Sequence, residues 1–422
     1  QSKRRAKGLP LKVTIQAQAK FGWIYESFDV KRNIVSLYQT AGDQKLNENL
    51  AIFGFLRVIT SWWVIYYHSQ FTFSLASDNF GKFWGDFSKS TILMNLWNNG
   101  DLSVEYFFVM TGFLSAYTLI PKLAKSNFTI SCYLTIIKHR LLRIWPALIL
   151  GLLFWWQIVP RMFSGPSWFH YEYKVGYCDS LWWSKALLVE NITNYYTFKE
   201  AGNYCMINTW YIPTEFQIYL VAVLAIALYT RYRRVGFVVI LGLIFQSFLM
   251  GAMNLVNHRI IYPTLNDNGL WHYFRMTPFT RWYTLFIGVI WGLLYYEYTK
   301  LKKKNIFYVF EKKVFVSYLS ILLGIALNIF VIHFPITQYF GKTFRMVWFP
   351  LRVLLISLSM TMIFMPLASN REFYLKKFFN LRVFQVMGKY SYMTYLFADP
   401  LIYVMALWNY DPAFKFSGLG IV

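Results

Sequence analysis

Long apolar stretches recur along the whole chain, and short polar segments separate them. A helix that crosses a bilayer needs about 20 mainly apolar residues in a row. The pattern therefore predicts an all-α fold, a polytopic transmembrane helix bundle of about nine to ten spans. The predicted spans are residues 49–73, 102–121, 143–162, 210–230, 235–255, 281–299, 314–334, 346–368 and 390–408.

The first 48 residues do not share this pattern. They are basic and of mixed polarity, and their start, QSKRRAKGLPLK, has no apolar segment of the kind found in a signal peptide. We therefore expect a basic N-terminal arm at residues 1–48 and one transmembrane domain at residues 49–422.

Composition supports a membrane protein and weakens the case for nucleic acid as a partner. Hydrophobic residues make up 57% of the chain and charged residues 14%. Aromatic residues make up 21%, which suits belts of Trp and Tyr at the two membrane interfaces. The net charge of +23 lies in short clusters between apolar stretches, and none has the layout of a nucleic-acid-binding module. We therefore expect membrane lipids as partners and expect no binding to nucleic acid.

The basic clusters also predict an orientation. Residues 1–48, 122–143, 231–234, 300–313 and 371–389 are rich in Lys and Arg, whereas the intervening loops are poorer. Basic loops stay on the inner side of a membrane. With nine spans, the N-terminus is expected inside and the C-terminus outside.

One long loop, residues 163–208, then lies outside and carries two of the three cysteines. Cys178 and Cys205 could form a disulfide in an oxidising compartment, and two free thiols are the alternative. Asn191-Ile-Thr in the same loop is a glycosylation acceptor if the protein passes through the secretory pathway.

The first predicted span carries two basic residues, Arg57 and His68. Charge inside a span is costly and often marks function. The two positions are eleven residues apart, about three helical turns, so they share one face at an axial separation of roughly 16 Å. The alternative is that Arg57 extends towards the interface and His68 is an interfacial histidine.

Other polar residues are expected near the depth of His68. Glu105 lies one turn inside the second span, and a carboxylate beside an imidazole can orient it as a general base. Glu215 lies one turn into the fourth span; pairing with neighbouring helices is its alternative role. The predicted outer group also includes Trp210, Tyr211, Gln217 and Arg281.

Arginines of the inner half could bind the phosphates of an acyl-CoA arriving from inside. They are Arg57, Arg140 and Arg143; for the last two we favour a role as positive-inside anchors.

Asp399 falls in mid-span, where a carboxylate should be neutral or paired, and Arg57 is a candidate partner. No Cys/His spacing suggests a metal site, and no glycine-rich phosphate loop follows a strand.

Several motifs in order resemble the acyltransferase 3 family of membrane proteins, and within it the nose-resistant-to-fluoxetine-like eukaryotic branch. The first is R-x10-H in the first span. The others are LSVEYFFVMTGFLSAY, FDVKRNIVSLYQ, KHRLLRIWPALIL, CMINTWYIPTEFQIYL, TRWYTLFIGVIWGLL and GKYSYMTYLFADPLIY.

The resemblance implies an O-acyltransferase that moves an acyl group from a donor such as acyl-CoA to a hydroxyl, with no cofactor beyond the donor. His68 would be the general base and Glu105 its partner. Arg57, Trp210, Tyr211, Glu215, Gln217, Arg281 and Asp399 would bind substrate. Family members often carry a histidine at the place of Asp399, so this position departs from the family pattern.

Two other functions stay open. One is a catalytically degenerate scaffold subunit of a larger membrane complex, which the departure at Asp399 would suit. The other is transport of a lipid or drug through the polar bundle. The resemblance implies the plasma membrane or the endoplasmic reticulum, with the mitochondrial inner membrane as an alternative.

Overall fold

A computed structural model describes residues 29–39, 48–75, 91–125, 128–165, 168–197, 204–257, 274–334, 341–407, 416–417 and 420–421. Its helices are α1 (Val30–Tyr38), α2 (Ile52–Leu75), α3 (Thr91–Asn98), α4 (Ser103–Lys125), α5 (Ile130–Leu153), α6 (Val159–Met162), α7 (Phe169–Ala186), α8 (Glu190–Thr197), α9 (Tyr211–Arg231), α10 (Arg233–Asn257), α11 (Trp282–Thr299), α12 (Ile306–Lys312), α13 (Val314–His333), α14 (Lys342–Leu367), α15 (Tyr374–Phe379) and α16 (Arg382–Leu407). A π-helical turn, Phe154–Ile158, joins α5 to α6. Two short strands, β1 (Phe416–Ser417) and β2 (Gly420–Ile421), pair antiparallel.

The prediction of an all-α membrane bundle is confirmed. Within the described residues, seven helical segments are long and apolar enough to cross a membrane: Glu48–Phe73, Gly100–Lys125, Ile130–Met162, Ile207–Arg231, Arg233–Asn257, Val314–His333 and Met346–Leu367. The two remaining predicted spans correspond to α11 and α16, which are helical but are not among the seven. The count of nine to ten spans stays a prediction.

Helices α4 and α11 pack against each other through glycines. A Cβ at Gly112 would overlap the carbonyl oxygen of Leu285, and a Cβ at Gly288 would overlap that of Val109. Such close approach of two backbones is how small residues stabilise helix pairs in membranes. Val109 meets Gly288 and, one turn on, Phe113 meets Gly292, so the two helices run parallel.

Helices α2 and α16 form a second close pair. A Cβ at Gly388 would lie 2.7 Å from the carbonyl oxygen of Gly54. Further along both helices His68 faces Asp399. The contacts advance in the same direction on both helices, so α2 and α16 also run parallel. This arrangement places residues from the two ends of the domain at one depth.

Helices α7 and α8 follow α6 and precede α9 in the sequence. A disulfide links α7 to the segment just before α9. Cys178 of α7 is bonded to Cys205. Glu190 accepts a hydrogen bond from the backbone N–H of Cys205 at 2.8 Å and pairs with the buried Lys185. The covalent and ionic links therefore fix the segment just before α9 against α7.

Candidate active site

A cavity of about 1200 Å³ lies between α2, α4, α5, α9 and α16. Along α4 it extends from Val104 to Lys122, which at 1.5 Å per residue is about 27 Å. We call the part near Lys122 the basic end and the part near Val104 the aromatic end. The cavity is long enough to hold an extended ligand of several chemical groups.

Basic side chains line much of this cavity. Among its described lining residues Glu215 is the one carboxylate, and Arg140 already pairs with it. The guanidinium of Arg140 also lies over the ring of Tyr219, 4.6 Å from its centroid. The excess of positive charge suits an anionic ligand with phosphate groups. The basic lining residues are Arg57, Lys122, His139, Arg140, Arg143 and Lys389.

At the aromatic end, Phe107, Tyr211 and Tyr395 line the cavity. The ring of Tyr211 packs on Phe108 with centroids 4.6 Å apart, and the hydroxyl of Tyr395 donates to the carbonyl of Asn208. Tyr395 precedes Asp399 by one turn of α16, so the carboxylate lies about 6 Å beyond it along the helix axis. The aromatic end therefore points towards Asp399.

His68 and Asp399 face each other beyond this end. Nδ1 of His68 lies 3.6 Å from Oδ1 of Asp399, and their side chains are 16% and 10% exposed. The carboxylate favours the tautomer that carries a proton on Nδ1, which leaves Nε2 as the proton acceptor. The two atoms are too far apart for a hydrogen bond, and Oδ1 of Asp399 has no hydrogen-bond partner among the described residues; closing this gap would give the arrangement of a general base with an orienting carboxylate.

Lys174 of α7 is the third charged group near this pair. It acts electrostatically on both His68 and Asp399. Its ammonium lies 5.0 Å from the ring centroid of Phe71 and 5.7 Å from that of Tyr403. Burial lowers the pKa of Lys174, and the negative charge of Asp399 opposes that shift. Lys174 therefore brings a positive charge close to the pair.

The predicted contact between Glu105 and His68 is wrong. Glu105 pairs with Arg281 of the loop before α11, and both side chains are fully buried. The guanidinium of Arg281 also lies 5.7 Å from the ring centroid of Trp210. The glycine contacts between α4 and α11 fix the rotation of α4, so Glu105 faces α11 rather than α2. Asp399 takes the place beside His68 that we expected for Glu105.

Glu215 and Gln217 are also not beside His68. Glu215 binds Arg140 within the cavity wall, so Arg140 is more than a positive-inside anchor. Gln217 forms a reciprocal amide pair with Asn191: Nε2 of Gln217 donates to Oδ1 of Asn191 at 2.8 Å, and Nδ2 of Asn191 donates back at 3.0 Å. Both belong to the polar contacts between helices that the sequence left open as an alternative.

The same amide pair contradicts the glycosylation acceptor proposed at Asn191. The side chain is buried, and its Nδ2 also donates to the carbonyl oxygen of Met276 at 3.0 Å. A glycan is attached through this nitrogen, so the folded chain offers no free acceptor there.

The suggested pair of Arg57 and Asp399 is not formed. In the part of the chain that the structure describes, Asp399 pairs with His68, whereas Arg57 lines the cavity near Arg143 and Tyr211. Arg57 is about three helical turns nearer the basic end than His68, because the two residues are eleven positions apart on α2. Its charge stays available to a ligand in the cavity.

Three residues of this site were not predicted from sequence. Lys174 lies in the segment that was predicted as the long loop 163–208. Nothing in the sequence indicated that this segment would pack beside α2. Lys389 and His139 were counted only as basic or unassigned loop residues, although both line the cavity. The basic clusters at the ends of two spans were a signal that could have suggested them.

Comparison with known proteins agrees with the geometry. Residues 51–421 match the family model described as the acyltransferase domain of the acyltransferase 3 type. The chain is also 24% identical over 276 residues to "Nose resistant to fluoxetine protein 6" of Caenorhabditis elegans. That match covers 60% of this chain but only 32% of the nematode protein. No solved structure matches the chain.

The family match covers nearly the whole membrane bundle, including both helices that carry His68 and Asp399. The resemblance suggested by the sequence motifs is thereby confirmed. This chain belongs to the acyltransferase 3 family of multi-pass membrane proteins.

Proposed function

We propose that the protein is a membrane O-acyltransferase that uses a thioester donor such as acyl-CoA. The observation that carries this proposal is the course of the cavity along the bundle. Its basic end suits phosphates, and its aromatic end stops one helical turn before Asp399, which faces His68. A donor lying along the cavity would carry its thioester towards the imidazole.

In the proposed reaction Asp399 orients His68 and the acceptor supplies a hydroxyl. Nε2 of His68 takes the hydroxyl proton as the oxygen attacks the thioester carbonyl. The C–O bond forms, the C–S bond breaks, and the departing thiolate receives the proton from His68. The imidazolium that forms in between is stabilised by the carboxylate of Asp399. Arg57 and Arg143 hold the donor phosphates.

The departure from the family pattern at Asp399 fits this scheme. A histidine usually stands there in the family, whereas here a carboxylate faces His68 directly. This chain would orient its base with an acid. The aspartate at this position also suits a catalytically degenerate scaffold subunit. An O-acyltransferase is expected to bind the acyl donor, whereas a scaffold is not.

Donor binding can be measured through Cys132, which lines the cavity and lies outside the disulfide. A maleimide should label Cys132 in the purified protein, and coenzyme A should slow this labelling. Arg57→Gln should weaken the protection, whereas Cys132→Ser should take no label. If coenzyme A leaves the labelling rate unchanged at millimolar concentration, donor binding in this cavity is refuted.

Turnover is tested with radiolabelled acetyl-CoA and a membrane lipid extract as acceptor. His68→Ala should lower the transfer rate about 10²–10⁴-fold, the usual contribution of a general base. Asp399→Asn should lower it as well while donor binding is kept. His333→Gln is the matched histidine control, because His333 bonds Asn95 and does not line the cavity. Full activity of His68→Ala would exclude it as the base.

A further inference from the structure

Helix α1 carries an apolar face that the rest of the described chain does not cover. Val30, Ile34 and Tyr38 are spaced four residues apart and are 68%, 49% and 54% exposed. Residues at this spacing lie on one face of a helix. Arg32 lies on its more polar side, and Lys31 lies beside Tyr38 at the border of the apolar face. A short helix of this kind, basic and amphipathic, has the composition of helices that lie in a membrane interface.

The C-terminal end of α1 is fixed to the beginning of α16. Lys389 donates from Nζ to the carbonyl oxygens of Ser36 at 2.9 Å and Gln39 at 2.7 Å, and Arg382 donates to that of Tyr38 at 3.1 Å. The last carbonyls of a helix have no partner within the helix and carry the negative end of its dipole. The two cations therefore hold α1 in a defined place.

That place is the basic end of the cavity. Lys389 lines the cavity while it holds α1, so the C-terminal end of α1 lies beside the basic end of the cavity. Next to it, Val383 and Met387 of α16 are 52% and 50% exposed. These residues belong to a helix of the membrane bundle, and lipid is the natural cover for them. The exposed apolar face of α1 suits the same lipid environment.

We propose that α1 lies flat in the bilayer interface and forms a lipid-bound rim of the cavity opening. Its apolar face enters the acyl-chain region, and Lys31 and Arg32 contact the phosphates of anionic lipids. The occupant of this face is thus an anionic membrane surface. This inference concerns binding to lipid and does not require acyl transfer.

The test places single fluorophores on the two sides of α1 in the full chain. In a Cys132→Ser background the two other cysteines are joined in a disulfide, so an introduced thiol is the one labelled. Ile34→Cys reports the apolar face, and Ser36→Cys, about 200° away around the helix, is its matched control. The protein is reconstituted in vesicles of phosphatidylcholine and phosphatidylserine with brominated acyl chains.

The bromine should quench the label at Ile34 and spare the label at Ser36. Equal quenching at both positions, or none at either, would overturn the interfacial orientation of α1. A second comparison uses vesicles of phosphatidylcholine alone and the Lys31→Gln/Arg32→Gln double variant. Both changes should weaken quenching at Ile34. Unchanged quenching in either case would refute the role of anionic headgroups.

Discussion

Replacing Glu105 by glutamine would remove one charge from an ion pair that is buried on both sides. The side chains of Glu105 and Arg281 are each 0% exposed. The Glu105→Gln variant keeps the shape and one oxygen acceptor, but it leaves the guanidinium of Arg281 uncompensated. Because that charge lies in a helix bundle rather than in water, the main expected effect is a loss of stability.

The size of this loss follows from the burial. Breaking a buried pair by removing one partner costs about 3–5 kcal/mol, because the remaining charge cannot be hydrated. We expect the lower part of that range for Glu105→Gln, since the amide oxygen can still accept a hydrogen bond from Arg281. Arg281 also keeps its position over the rings of Trp210 and Phe274.

The assay is thermal and denaturant unfolding in detergent for Glu105→Gln, Arg281→Met and the double variant. The double variant has no buried charge left at this place, so its loss should be clearly smaller than the sum of the single losses. Strictly additive losses would show that the two residues do not interact. A stable Glu105→Gln protein with strongly reduced acyl transfer would instead return Glu105 to a catalytic role.

Three shorter predictions concern packing and covalent structure. Cys178→Ala should lower the unfolding free energy by about 3.5 kcal/mol, because the disulfide to Cys205 closes a loop with a sequence separation of 27 residues. Reduction of the wild-type protein should have the same effect. Gly112→Ala should lower the unfolding free energy by about 1–3 kcal/mol or more, because its Cβ would overlap a carbonyl oxygen of α11. The control Gly242→Ala should be neutral or slightly stabilising, because the space around Gly242 is open. Equal shifts of the melting temperature in the two variants would contradict the α4–α11 contact. When the chain is made in a secretory host, glycosidase treatment should leave the mass at Asn191 unchanged, and a glycan there would show that the buried amide pair does not form.

Hydropathy was enough to predict the fold class and the place of most helices, because the bilayer imposes length and composition on every span. Hydropathy also predicted how far along its span each polar residue lies. Glu105 and His68 were expected at similar depth, from their places at the start of α4 and late in α2. Depth, however, leaves rotation about the helix axis open. The rotation of α4 depends on its contact with Gly288 and Gly292 of α11, whose spacing of four residues is common in membrane helices and carries little information by itself.

Partners from distant parts of the chain were the harder problem. Asp399 was recognised as a carboxylate that needs a partner, but the candidate proposed from the sequence was Arg57, whereas the structure places His68 beside it. Both lie on the same face of α2, and the choice depends on the register between α2 and α16. That register is set where the backbones of Gly54 and Gly388 meet, which cannot be read from either helix alone.

The parallel pairing of α2 with α16 has a consequence for biogenesis. His68 enters the membrane with the first helix of the bundle, whereas Asp399 arrives with the last. At about 5–20 residues per second, a ribosome needs on the order of tens of seconds to bridge that interval. Throughout that time a nascent chain holds an imidazole without its carboxylate. Chains released early would therefore lack the pair of His68 and Asp399, and on the proposed function a chain that stops before α16 should insert but transfer no acyl group.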